Sequence, residues 1–201
     1  QRERWRRQVR VYRLTARRAA HYATTRVRGI GADDERRAQL DQRFSIRTAE
    51  DVARARDRIN ADGGPIDVLV NNAGIVFGGY LLDVPLEQHL TTLNVNLLGP
   101  VILTHAFLPD LIARPDAHLV TIASLAGYGG APGGSTYGAS KWGVIGFSES
   151  IELELAKQGH THVHVTTVCP GVVATGLFDG AKALAVVQDL RPSAHYRVEF
   201  A

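Results

Sequence analysis

From about residue 45 the chain alternates stretches whose apolar positions recur at helical spacing with short runs rich in β-branched residues. "TAEDVARARDRINADGG" (48–64) carries apolar or small residues at helical spacing and ends in two glycines, which predicts a helix and its stop. "PIDVLVNNAG" (65–74) and "AHLVTIAS" (117–124) predict short strands buried on both faces. "PLEQHLTTLNVNLLGPVILTHAFLPDLIA" (85–113) reads as two helical stretches meeting near Gly99-Pro100. "GYGGAPGG" (127–134) is a loop, and "STYGASKWGVIGFSESIELELAKQG" (135–159) a long helix with Ser135 or Thr136 as its cap. "THVHVTTVCPG" (161–171) is a strand ended by Pro170-Gly171. Strands separated by helices of this length need crossover connections. The expected fold is therefore α/β, a Rossmann-like doubly wound parallel sheet. It is expected to form a single domain over 1–201, abbreviated at both ends, with an atypical Arg-rich segment over 1–25 and a shortened 180–201.

Composition adjusts this picture in three places. Residues 1–28 hold ten arginines and one acid, Glu3, while the whole chain is only +3, so the body is net acidic and the basic balance belongs to the start. A nucleic-acid or membrane arm would need basic–aromatic interleaving that continues into the body, and none does; neither nucleic acid nor membrane is expected as a partner. No apolar run near the roughly 18 residues of a bilayer span is read from the sequence. The single cysteine, Cys169, excludes an internal disulfide and fits a reducing, cytoplasmic setting. No methionine occurs anywhere, and the chain is expected to be an incomplete reading frame.

The strongest chemical signal is "STYGASKWG". Tyr137 and Lys141 are four apart, so on a helix they share a face one turn apart. A free tyrosine titrates at about 10, too high for a general base near neutrality. A neighbouring ammonium favours the phenolate and suits the pair to proton transfer with an alcohol or carbonyl oxygen. A Tyr-x-x-x-Lys alone is also an ordinary surface pair. Ser124, thirteen residues earlier, closes a predicted strand where open α/β sheets place their crevice. Asn96 sits inside a predicted helix, where asparagine is mildly unfavourable and usually has a structural partner. The eight histidines show no ligand spacing, and His162 and His164 read as ordinary strand residues, so no metal is expected.

"NNAG" (71–74), "NVN" (94–96), Ser124, "YGASK" (137–141) and "CPGVVAT" (169–175) occur in this order and near the expected spacings. On these motifs the chain resembles the short-chain dehydrogenase/reductase family over roughly residues 45–180. The resemblance implies Tyr137 as acid/base, with Lys141 lowering its pKa and holding the nicotinamide ribose. It implies Ser124 orienting the substrate oxygen and Asn96 holding a water in a relay through Lys141. Asn72, Ala73 and Gly74 would line the cofactor, and Pro170, Gly171, Val173 and Thr175 its nicotinamide end. The implied reaction is hydride transfer between NAD or NADP and an alcohol or ketone. Helices corresponding to about 97–112 and 137–157 would pair between subunits in a homodimer or homotetramer.

The family's glycine-rich phosphate loop has no clear counterpart. "TTRVRGIG" (24–31) is that loop with Thr25 in place of a glycine, or it is a second strand after which Gly31 stands where members carry a ribose-binding acid. Gly31 lies near the cofactor in both placements. Ser45 stands where members usually carry an adenine-contacting aspartate. Two functions stay open: an active NAD(P)-dependent oxidoreductase, or a catalytically impaired or truncated relative that keeps the fold and oligomer surface but not the cofactor.

Overall fold

The computed structural model describes residues 48–171, and the backbone of three strands before them: β1 (Val11–Leu14), β2 (Thr24–Ile30) and β3 (Gln42–Ser45). The expectations for Gly31, Val173, Thr175 and the 180–201 end fall outside the described residues.

Residues 48–171 form α1 (Ala49–Gly63), β4 (Val68–Asn71), α2 (Leu86–Leu93), α3 (Gly99–Ile112), β5 (Ala117–Ile122), α4 (Ser135–Lys157) and β6 (Val163–Val168). The sheet order is β3-β2-β1-β4-β5-β6. Strands β1, β4, β5 and β6 are parallel, with Leu14 opposite Asn71 and Asn71 opposite Thr121. This is the expected Rossmann-like arrangement. It departs from the all-parallel expectation at one edge, where β2 runs antiparallel to β1 and β3 antiparallel to β2. Only residues 15–23 join β1 to β2, fewer than the dozen or so that a parallel crossover takes, whereas an antiparallel return needs little chain. "TTRVRGI" is strand β2, so the reading of that stretch as a phosphate loop is corrected in favour of a second strand.

The central strands alternate between buried and half-buried positions rather than being buried on both faces as expected. Leu69, Ala117, Leu119 and Val163 point to one side, where Val52 and Ile59 of α1, Leu103, Phe107 and Leu111 of α3, and Leu155 of α4 close over them. The described helices thus build the main core on one face of the sheet, with a smaller separate cluster of Ala123, Val144 and Ile145 near the start of α4. Thr48 caps α1 reciprocally with Asp51, and Gly64 ends it at φ 78, as the two-glycine signal predicts. Arg56 then grips Asp110 with two bonds of 2.8 and 2.5 Å, locking α1 onto α3.

The stretch 85–113 forms α2 and α3, two helical stretches that meet near Gly99-Pro100 as expected; a π turn at Asn94–Leu98 joins them into one continuous run, and Pro100 stands in the first turn of α3. The expectation that nothing here is long and apolar enough for a bilayer is corrected. The helix Leu86–Ile112 is 27 residues long and contains an 18-residue window of mean hydropathy 1.5, which meets that length and composition. Leu103, Phe107 and Leu111 on it are spent in the protein core.

Candidate active site

Three features of the fold converge at the C-terminal ends of the parallel strands: the turn after β5, the first two turns of α4, and the π turn before α3. Helix α4 starts from Gly134 with no side-chain cap, not from Ser135 or Thr136 as expected. Tyr137 and Lys141 follow on its inner face, 7% and 4% exposed. Lys141 Nζ donates to the Ile122 carbonyl at 2.8 Å and lies 5.8 Å from the Tyr137 ring centre. Burial lowers the Lys141 ammonium to about 8, with the Cys169 side chain opposing that shift. Burial pushes the Tyr137 phenol up, and a hydrogen bond from Ser124 offsets part of the rise. Among the chain's own groups, then, desolvation outweighs the expected lowering of Tyr137.

Ser124 sits at the head of a short 3-10 turn, where its hydroxyl also accepts from the Ala126 N–H at 3.2 Å. Gly127 in that turn is obligatory for packing. A Cβ there would lie 2.5 Å from Ile145 Cδ1 and 2.9 Å from the Lys141 carbonyl. The turn can therefore press flat onto α4, which brings Ser124 to Tyr137.

Asn96 is 1% exposed. Its amide accepts from the Ile75 N–H at 2.9 Å, donates to the Ile75 carbonyl at 2.9 Å, and reaches Ser140 Oγ at 3.1 Å. Ser140 in turn donates to the Tyr137 carbonyl at 2.7 Å. The side chain of Asn96 thus ties the loop after β4 to α4, a positioning task. The π turn explains how an asparagine is accommodated there, since the widened turn aims it at Ile75.

Asn71 at the end of β4 donates to Thr104 at 3.0 Å, fixing where Asn72, Ala73 and Gly74 leave the sheet. A Cβ on Gly74 would point at Lys141 Nζ (3.6 Å) and Asn96 Oδ1 (3.8 Å). Glycine keeps that space open, and the space borders the lysine expected to hold a nicotinamide ribose. At the other wall the Pro170 carbonyl accepts from the Leu125 N–H at 3.1 Å, placing Pro170 and Gly171 beside the Ser124 turn. The residues present fit the nicotinamide end of a dinucleotide. The structure brings together Asn96, Ser124, Tyr137, Lys141, Gly74, Pro170 and Gly171.

Exposed apolar side chains stand in the loops bordering this centre: Phe77, Tyr80, Leu81 and Leu82 after β4, and Leu125 and Tyr128 after β5. Among the described residues no cluster of three or more metal-ligating side chains occurs. Sequence reasoning missed Ser140, although it lies inside "YGASK" and its total burial links Asn96 to Tyr137. It also missed Thr136 and His89, whose ring and hydroxyl meet at 2.6 Å. A lone histidine on a helix gives no sequence signal for such a contact.

A parallel α/β sheet with a buried helical Tyr–Lys pair and a serine at the end of the neighbouring strand defines an oxidoreductase class of dinucleotide fold. Residues 8–183 match the family of short chain dehydrogenases, and the chain belongs to that family. It is 41% identical over 133 residues to retinol dehydrogenase 10-B of Danio rerio, covering 66% of this chain and 40% of that protein. It is 40% identical over 131 residues to epidermal retinol dehydrogenase 2 of Homo sapiens, covering 65% and 42%. The chain thus spans about two fifths of these relatives' length. Among solved structures it resembles a short-chain dehydrogenase from Streptomyces avermitilis (TM-score 0.59, 30% identity, 65% of this chain and 47% of that one). It also resembles a metagenomic short-chain oxidoreductase in complex with NADP (TM-score 0.56, 38% identity, 63% and 56%).

Proposed function

We propose that this chain carries the catalytic half of an NAD(P)-dependent oxidoreductase acting on an apolar alcohol or the corresponding carbonyl compound. The observation that carries the reading is the Ser124–Tyr137 hydrogen bond with Lys141 buried one turn away. When bound, the nicotinamide takes or supplies the hydride. In the oxidative direction Tyr137 Oη accepts the alcohol's hydroxyl proton as the carbon gives up hydride, and Ser124 holds the substrate oxygen in line. Lys141, kept cationic, favours the phenolate form that Tyr137 needs. Asn72, Ala73, Gly74, Pro170 and Gly171 flank the nicotinamide, with Val173 and Thr175 continuing that wall. NAD or NADP is the proposed cofactor, supported by the NADP-bound relative. The apolar side chains beside the site and the two retinol dehydrogenase relatives favour a retinoid-like substrate.

The test is binding of NADH and NADPH by fluorescence, then turnover of retinol and a ketone panel. Tyr137→Phe should lower turnover by roughly 10²–10⁴ while leaving the NADPH Kd within about twofold. Absence of binding of either nucleotide would sink the proposal. A second reading, a relative that has lost its cofactor, is favoured by one observation: the stretch nearest a phosphate-loop pattern is strand β2, antiparallel to β1.

A homodimer or homotetramer is proposed through α3 and α4, supported by Trp142 and Leu153 standing exposed on α4 and by Leu98 exposed in the π turn just before α3. A cytoplasmic location is proposed on the strength of the lone Cys169. Recovery of the chain in carbonate-washed membranes would overturn it, as the apolar helix Leu86–Ile112 makes that a pointed test.

A further inference from the structure

We propose that His89 is a positioning residue that latches the apolar rim at Leu81 to the first turn of α4, and so sets which large substrates the site accepts. The inference rests on the oxidoreductase reading above.

The imidazole of His89 is half-buried on α2 and both of its ring nitrogens are engaged. Nε2 lies 3.1 Å from the Leu81 carbonyl oxygen. A carbonyl only accepts, so Nε2 carries the proton. In the neutral ring Nδ1 is then the acceptor, and it lies 2.6 Å from the Thr136 hydroxyl, which donates to it. The three residues make one chain of bonds: Thr136 hydroxyl to imidazole, imidazole to the Leu81 main chain.

Each end of that chain matters to the site. Thr136 directly precedes Tyr137 on α4. Leu81 lies between Tyr80 and Leu82, the last of them 96% exposed, in the apolar rim. The same two segments are joined a second time, where the Gly79 N–H donates to the Gly133 carbonyl at 3.0 Å. Gly79 and Gly133 both have positive φ, 155 and 73, and a Cβ on Gly79 would lie 2.8 Å from Val84 Cγ2. The loop therefore turns tightly at its glycine and depends on the histidine for the next tie. A substrate whose oxygen sits at Tyr137 and Ser124 extends its apolar part toward a rim whose distance from Tyr137 this latch fixes. A small alcohol does not reach it.

The experiment compares wild type with His89→Phe, which keeps the ring volume but neither bond, with Thr136→Val, and with His89→Gln as a conservative rescue. Hydrogen exchange over 77–84 reads the latch without any activity. Steady-state kinetics with retinol and with cyclohexanol read its consequence. We expect His89→Phe to speed exchange about tenfold and to raise the retinol KM about fivefold, with the cyclohexanol KM and both kcat values within about twofold. Thr136→Val should do the same, the double variant should add little, and His89→Gln should recover part of the loss. Exchange within about twofold of wild type in folded His89→Phe or Thr136→Val overturns the latch. Faster exchange with an unchanged retinol KM in an active enzyme overturns its role in substrate choice. If wild type turns over nothing, the oxidoreductase reading falls, the proposed effect on substrate choice falls with it, and the exchange arm alone decides the latch.

Discussion

Lys141 is a single residue whose environment makes a measurable demand. In the fold its ammonium titrates at about 8, against an ordinary 10.5, because it is buried. Between those values the unfolded chain holds the proton and the folded chain does not, so stability rises as pH climbs from about 8 toward 10.5. Lys141→Met should flatten that rise and abolish turnover, while leaving the Ile122 carbonyl without its donor. Thermal melts at about pH 7 and about pH 9.5, with an assay alongside, check both halves. The importance of Tyr137 and Lys141 was legible in the sequence because a four-residue spacing fixes a helical face without reference to the rest of the chain. The work of Asn96 was not, since Ile75 is 21 residues away and only the folded π turn brings the two together.

At the level of elements, the π turn Asn94–Leu98 and the turn after β5 do the positioning. Asn96→Leu would leave the part-buried Ile75 N–H and carbonyl without their partner, at a cost of about 1 kcal/mol each, the low end for such stranded groups. We expect a denaturant midpoint lowered accordingly, with turnover lost well below the unfolding transition. Asn96→Asp, which keeps one acceptor, should fall between. Helix α4 and strands β4 to β6 stand where the sequence places them, although the central strands alternate in burial instead of being buried on both faces. The meeting of two helical stretches near Gly99-Pro100 was legible, but the π turn that joins them into one run was not. Strand direction at the other edge was not legible either. Short apolar runs announce a strand but not its sense, which the length of chain joining β1 to β2 decided.

For the molecule as a whole, the apolar surface on α4 and at the start of α3 bears on assembly. Trp142 is 52% exposed, with Leu98 and Leu153 also open to solvent on these helical segments. Trp142→Glu combined with Leu153→Glu should convert the proposed dimer or tetramer to monomers by light scattering, with the far-ultraviolet spectrum unchanged. A wild type that is already monomeric would overturn the assembly.

The bonds from Asn96 to both sides of the Ile75 peptide also define an evolutionary boundary. Up to Ile75 the chain is fixed by groups that also hold Tyr137, so change there disturbs the chemistry. At Val84 the chain is buried again and closes on Gly79. Residues 76–83 between them form a cassette with firm ends and an exposed apolar middle. Swapping that segment among relatives should alter which substrates are taken while leaving proton transfer intact, so new specificities can arise here without rebuilding the catalyst.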